Sequence, residues 1–415
     1  MKYVVILGDG MADRPLEELG GQTPLEYAKT PMMDALAEMG EIGMVKTVPD
    51  DMKPGSDVAN LAVLGYDPSA YYSGRSPLEA LSIGIAMKET DVAMRVNLVT
   101  LIKPEGASDD IPFEELIISD HSSGEISTED AAILLDALRP AIENDEFKFY
   151  VGTSYRHCCI WDQGKILDLT QPHDHLGEVI GSLLPDCGRN EDVSADAQRF
   201  TEMMKKSYEI LDHHSLNEER RKQGKNVANC LWFWGAGKKP MLSPFIEKTG
   251  KKGVMISAVD LLKGIGCGAE MKVCEVEGAN AQLETNYEGK AQAALDALLK
   301  EGYDFAYIHV EAPDEMGHQG SIERKVKSIE YLDQRLIRPV YEGLQGEDFR
   351  MLIMPDHRTP ICIRTHSGEP VPYILFDSTA KQNNTWHYNE REGELSGNYI
   401  TPGYTMISHL FGKQE

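Results

Sequence analysis

The sequence predicts an α/β chain whose mainly parallel sheet is interrupted by an inserted α+β domain. Short β-branched runs at Lys2–Leu7, Phe305–Val310 and Arg350–Met354 read as buried parallel strands. Each leads into an acid: Asp9, then Asp314 in Glu311-Ala312-Pro313-Asp314, then Asp356 in Pro355-Asp356-His357. Gly253–Val259 and Tyr373–Phe376 are further strand candidates, and helix-like stretches at Gly289–Leu299 and Ile322–Leu344 fall between them. Strands alternating with helices imply a parallel sheet. In such sheets ligands gather outside the carboxyl ends of the strands, so acids at three strand ends mark a site.

The middle of the chain reads differently. Long helical patterns, Thr128–Glu143 and Ser194–His213, dominate there, and few strands lead into acids. This predicts an inserted domain at residues 96–228 within a discontinuous catalytic layer of residues 1–95 and 229–415. A length of 415 residues suits two domains. No apolar run reaches the roughly 18 residues of a membrane span. The apolar stretch Met1–Leu7 is too short for a signal peptide and reads as a first strand. A formal charge of −26 repels polyanions and argues against nucleic acid or an anionic membrane as partner. A small anionic substrate remains compatible, because a local cluster of Arg, Lys and metal outweighs a distant field. Seven cysteines without C-x-x-C spacing predict a reduced, cytoplasmic setting.

Asp314 and His318 are four residues apart, so on a helical turn they share a face and can chelate one ion. Alone, such a pair is an ordinary solvated contact. Asp356-His357 alone is a strand-end turn, His366 in Thr365-His366-Ser367-Gly368 a structural histidine, and Asp9 between two glycines a turn residue. Together these six side chains, nearly all at expected strand ends, suffice for two divalent ions with positions left open for substrate oxygens. Ser56 follows the Pro54-Gly55 turn and opens an amphipathic helix. It reads either as an N-cap or as a nucleophile, and a phosphoryl group there would sit at the positive helix end.

The set Gly8-Asp9-Gly10, P-G-S-D-V-A-N-L-x-x-L-G-Y-D-P, A-P-D-E-x-G-H, P-D-H and T-H-S-G-x-P-V-P, spread over residues 8 to 376, resembles the cofactor-independent phosphoglycerate mutases of the archaeal type. Those enzymes belong with alkaline phosphatase and phosphopentomutase. The resemblance implies an alkaline-phosphatase-like sheet with helices on both faces. It also implies one metal held by Asp314, His318 and His366, and a second held by Asp9, Ser56, Asp356 and His357. The implied reaction interconverts 3- and 2-phosphoglycerate through phosphoserine, with no 2,3-bisphosphoglycerate cofactor. Carboxylate and imidazole ligands without thiolate suit Mn²⁺, Mg²⁺, Co²⁺ or Zn²⁺, with Mn²⁺ favoured by the mixed donor set.

The resemblance thins in the insert. Candidate substrate contacts there are Asp120-His121, Arg156-His157 and His173-Asp174-His175, joined by Lys263 from the catalytic layer. Arg offers a two-pronged donor to carboxylate or phosphate, and His121 or Asp174 could relay a proton. Ordinary surface chemistry is the competing reading of each. His213-His214 reads as exposed on a charged helix. The insert is expected to exclude water that would hydrolyse phosphoserine. Competing functions are a phosphatase or mutase for another small phosphate ester, homoserine kinase-like transfer, and a non-enzymatic metal-stabilised protein. A kinase would lack the usual support, since no G-x-x-x-x-G-K-[ST] loop is present. The expected partner is a small phosphate ester, and a homo-oligomer is compatible with the sequence.

Overall fold

A computed structural model describes residues 1–108 and 110–412, which form two compact units: Met1–Tyr72 with the segment from Met241 onward, and Ser73–Pro240. In chain order the strands are β1 (Lys2–Gly8), β2 (Glu41–Val45), β3 (Val92–Ile102), β4 (Ile117–Asp120), β5 (Phe147–Tyr150), β6 (Arg156–Trp161) and β7 (Cys230–Lys238). They continue as β8 (Gly253–Ile256), β9 (Lys272–Cys274), β10 (Phe305–Val310), β11 (Phe349–Met354), β12 (Val371–Asp377) and β13 (Tyr399–Ile400).

The first unit holds an eight-stranded sheet in the order β13-β2-β12-β11-β1-β10-β8-β9. Only β12 runs against the rest, pairing antiparallel with both β11 and β2. Alternate residues of a strand face opposite ways. On one face Val4 and Ile6 pack with Met33, Leu36, Ala294, Leu298, Leu332 and Leu336 from helical segments. Tyr3, Val5 and Leu7 point the other way and are also buried, with Tyr3 against Phe411. The sheet is therefore covered on both faces, as near-continuous apolar strands require.

Most expected elements fall where the patterns placed them. The stretch at 322–344 is one long helical run, Ile322–Tyr331 and Arg338–Gly343 joined through a π turn at Leu332–Ile337. In that turn the buried Asp333 accepts hydrogen bonds from the backbone N–H groups of Met32 and Met33, at the start of helix Pro31–Met39. β8 stops at Ile256, and Val259 instead precedes helix Asp260–Gly268.

The second unit is a five-stranded sheet, β4-β3-β6-β5 with β7 also on β3, and all its pairings are antiparallel. Its ends lie at 73 and 240, where the sequence patterns suggested 96 and 228. The reason is packing that no local pattern announces. Helix Arg75–Ser82 is tied to β3 and β7: Glu79 pairs with Arg95, and the Ser76 hydroxyl donates to the Gly235 carbonyl. β7 in turn pairs with β3 from Val92 to Val99. His213 is exposed in a turn, whereas half-buried His214 caps helix Ser215–Lys222, its Nδ1 accepting from Leu216 N–H.

Among the described residues no helix is long and apolar enough to cross a membrane.

Candidate active site

β11, β1 and β10 are adjacent and parallel, so their carboxyl ends bring Asp356, Asp9 and the helix carrying Asp314 together. β12 runs the opposite way, so the loop that leads into it carries His366 to the same edge.

Asp314 sits in the first turn of helix Ala312–His318, with His318 one turn on. Their side chains meet at 3.2 Å, and His366 Nε2 lies 3.0 Å from His318 Nε2 and 3.5 Å from Asp314 Oδ1. Two imidazole nitrogens and a carboxylate thus converge on one point, with ligand atoms within 4.8 Å of one another. Nδ1 of His318 lies 2.9 Å from the Arg364 carbonyl, which accepts the ring proton there and leaves Nε2 for the cluster.

The neighbouring group is more deeply buried. His357 Nε2 lies 3.1 Å from Ser56 Oγ, 3.5 Å from Asp9 Oδ1 and 3.5 Å from Asp356 Oδ2. Ser56 Oγ lies 3.4 Å from Asp9 Oδ2. Two further potential ligand groups overlap here, Asp9-Asp314-His357 and Asp9-His309-Asp356. The second joins Asp356 to His309, although His357 Nε2 is also close to that carboxylate. The Nε2 of His309 is already engaged by Asp9 Oδ2 at 2.9 Å, which leaves His357 as the imidazole facing Asp356 and Ser56.

Ser56 is the first residue of helix Ser56–Val63, after the N-cap Gly55, so the N-cap position itself belongs to the glycine, and the Ser56 hydroxyl bonds toward Asp9 and His357. Asp57 Oδ1 accepts from Val58 N–H. The Ser56 hydroxyl is thus left facing the cluster. Asn60 holds this arrangement from beneath, its Nδ2 donating to the Ser56 carbonyl at 2.8 Å and to Asp356 Oδ2 at 2.9 Å. The buried Tyr307 phenol donates to Asn60 Oδ1. Asn60→Leu should therefore lower activity about tenfold or more, by removing the amide that donates to Asp356 Oδ2 and to the Ser56 carbonyl. Steady-state kinetics beside an unchanged far-UV spectrum would check this.

The electrostatics are those of a cation site. Burial first, then the carboxylates of Asp356, Asp314 and Glu311, push Asp9 well above the ordinary carboxylate range. Its buried Oδ1 has no hydrogen-bond partner among the described residues. Burial would raise Asp314 too, but hydrogen bonds from His318 and His366 hold it well below the usual range. The Asp314 hydrogen bond, ahead of opposing burial, raises His318 to about 9. Burial lowers His357, and it lowers His309 to about 3. Clustered carboxylates, an orphan oxygen and imidazole nitrogens aimed inward fit a divalent cation.

A pH dependence follows. His318 is raised in the folded state, so without metal its contribution to stability is complete below about 6.5 and is lost as pH rises through about 9. A cation at the cluster displaces that proton, so metal affinity rises with pH over the same window. The melting temperature of metal-free protein should fall between pH 6.5 and 9, and Mn²⁺ should restore more of it at the alkaline end. A flat profile without metal would contradict the His318 assignment.

Comparison with known proteins fits this geometry. Residues 37–217 match the model of the 2,3-bisphosphoglycerate-independent phosphoglycerate mutase family. A relative in Geobacter sulfurreducens is 44% identical, with 100% of each chain covered. The 2,3-bisphosphoglycerate-independent phosphoglycerate mutase of Methanosarcina mazei is 43% identical, with 99% of each chain covered. The chain belongs to the 2,3-bisphosphoglycerate-independent phosphoglycerate mutases. A solved Pyrococcus horikoshii structure matches with a TM-score of 0.80 and 30% identity, covering 100% of this chain and 98% of the other. The cofactor-independent phosphoglycerate mutase of Thermoplasma acidophilum shares the fold, with a TM-score of 0.68, 24% identity and 99% of each chain covered.

The mutase-family match runs on into the second unit, where the sequence candidates separate. The His121 and His173 rings lie 5.1 Å apart, tilted 56° to each other, with Tyr155 edge-on to His121 and Trp234 edge-on to His173. Trp234 Nε1 donates to Asn97 Oδ1, and Asn97 Nδ2 donates to the His121 carbonyl. His121 Nδ1, His173 Nδ1 and His157 Nε2 are buried with no hydrogen-bond partner among the described residues. Burial lowers His157 to about 4, and burial with the neighbouring His121 lowers His173. Arg156 is exposed, its guanidinium over Tyr155. Asp174 is exposed in a short turn. Asp120 is occupied locally, accepting from Ser122 N–H and hydroxyl, Gly124 N–H and Asn226 Nδ2. His175 pairs with Glu178, and Lys263, in the first unit, pairs with Glu275 at 2.9 Å. His309, Asn60, Tyr307, Asn97 and Trp234 carry parts of these arrangements without being singled out by the sequence patterns, whereas His173, already a candidate by sequence, gains Trp234 and His121 as ring partners.

Proposed function

We propose that this chain interconverts 3-phosphoglycerate and 2-phosphoglycerate by carrying the phosphoryl group on Ser56, beside a site for two divalent cations. The observation that supports this most directly is the Ser56 hydroxyl, on the first residue of a helix and 3.1 Å from His357 Nε2 within a carboxylate-imidazole cluster. Asp314, His318 and His366 would hold one cation; Asp9, Asp356, His357 and Ser56 would hold the other. Mn²⁺ suits the mixed oxygen and nitrogen donors best. Such cations, when bound, supply charge neutralisation for the phosphoryl oxygens and lower the pKa of the serine hydroxyl.

The chain's own groups then account for the transfer. Ser56 Oγ bonds to phosphorus as the ester oxygen of glycerate leaves, and the serine proton passes to that oxygen to give the glycerate hydroxyl. The first-turn N–H groups of helix Ser56–Val63 favour the dianionic phosphoserine. Asn60 keeps Ser56 and Asp356 in register throughout. The other glycerate hydroxyl then attacks phosphorus as the bond to Ser56 Oγ breaks, and the proton it gives up returns to Ser56 Oγ. Arg156, an exposed guanidinium of the second unit, is the residue put forward as donor to the substrate carboxylate. Arg156→Ala should therefore raise KM for 3-phosphoglycerate about tenfold with little change in kcat. An unchanged KM would remove Arg156 from this role. The seven free cysteines suit a reducing cytoplasm.

The test is conversion of 3-phosphoglycerate by Mn²⁺-loaded protein, free of 2,3-bisphosphoglycerate, with inorganic phosphate followed in the same sample. Isomerisation without phosphate release is expected. Phosphate release alone would make the chain a phosphatase, and inertness toward both would move the assignment to another ester.

A further inference from the structure

We propose that Thr359 couples the two cation positions, its hydroxyl accepting a hydrogen bond from His357 and donating one to Asp314. This rests on the two-cation reading above and adds to it a residue that belongs to neither ligand set. Thr359 Oγ1 donates to Asp314 Oδ1 and lies 3.3 Å from His357 Nδ1. Asp314 stands with His318 and His366, whereas His357 stands with Asp9, Asp356 and Ser56, so one hydroxyl touches both halves of the site.

The direction of the chain is fixed by chemistry. His357 points Nε2 at Ser56, Asp9 and Asp356, so a cation taken there uses the Nε2 lone pair and leaves the ring proton on Nδ1. A carboxylate only accepts, so Thr359 must spend its single O–H on Asp314 and accept from Nδ1–H with a lone pair. When Nε2 gives its lone pair to a cation, Nδ1–H becomes a stronger donor, and the polarised hydroxyl binds Asp314 more firmly. Filling one half thereby orients a ligand of the other.

Thr359 is also held more tightly than a loop residue needs to be. It is fully buried, its N–H donates to the Ala12 carbonyl, and its own carbonyl accepts from Lys325 Nζ at 2.8 Å. A side chain at Gly10, which has φ +58°, would strike Thr359 Oγ1 and Asp314 Oδ1. A Cβ at Gly317 would come within 2.9 Å of the Thr359 methyl carbon. The glycines of two separate motifs thus leave the space that this threonine fills.

The experiment titrates metal-free wild type, Thr359→Val and Thr359→Ser with Co²⁺, following heat and the visible absorption of the bound ion, with melting of each metal-free protein as the control for folding. Wild type should take two equivalents with the second affected by the first. Thr359→Val should bind about tenfold or more weakly and lose that dependence, and Thr359→Ser should recover it. Wild-type-like isotherms and spectra in Thr359→Val would overturn the coupling while leaving the two-cation site intact. A loss of affinity that Thr359→Ser fails to recover would likewise overturn it. If wild type itself takes up one equivalent or none, the two-cation reading fails, and the coupling with it.

Discussion

Ser56→Ala is expected to lose mutase turnover by at least about a thousandfold, roughly 4 kcal/mol of transition-state stabilisation. The variant removes one oxygen and leaves the helix that carries it, because the N-cap is Gly55 and the contacts of the Ser56 hydroxyl are with Asp9 and His357. Gly55 precedes that helix and Asp57 ties its own first turn, so the fold has little reason to change. Asp9, Asp356 and His357 still converge, so a metal titration should show both equivalents retained with at most a modest loss at the second site. Brief incubation of wild type with labelled 3-phosphoglycerate followed by acid quench should leave label on protein, and Ser56→Ala should leave none. Label on the variant, or turnover within tenfold of wild type, would transfer the nucleophile's role elsewhere.

The parts of this site that could be read from sequence are those in which local pattern and chemistry coincide. Asp9, Asp314 and Asp356 each end or follow an apolar strand, and a parallel sheet sends such residues to one edge. His318 shares a helical face with Asp314 by spacing alone. The residues that escaped notice owe their roles to chain segments remote in sequence. His309 lies within Phe305–Val310 and reads as core, yet its Nε2 meets Asp9 while Nδ1 lies 3.2 Å from Ser257 Oγ. Asn60 sits among apolar residues of an amphipathic helix, and only the approach of β11 gives it Asp356 to hold. The unit boundary shifted for the same kind of reason: helix Arg75–Ser82 belongs with β3 and β7 through Glu79, Arg95, Ser76 and Gly235. In the second unit the motif acid Asp120 serves its own loop, while His173, Trp234 and Asn97 assemble only when β3, β7 and a short turn come together.

Lys325→Met should give the largest loss of stability of any single change here, about 3–5 kcal/mol. Lys325 and Asp13 form an ion pair at 2.7 Å with both side chains fully buried. The ammonium also donates to the Thr359 carbonyl, and Asp13 accepts from the backbone N–H of Arg14 and Ile361. Every charge is therefore met, which is the condition under which a buried pair is tolerated. Methionine fills most of the lysine's volume but leaves the Asp13 carboxylate desolvated without its counter-charge, and it leaves the Thr359 carbonyl without its donor. For a unit of this size the melting temperature should fall by about 10 °C. Asp13→Asn combined with Lys325→Met should be less destabilised than Lys325→Met alone, because the neutral amide no longer needs an ammonium beside it. That inversion separates a charge effect from a packing effect: if the double variant melts lower than the single one, the lysine's contribution is its volume, and the pair is not what ties Asp13 to the 358–361 loop.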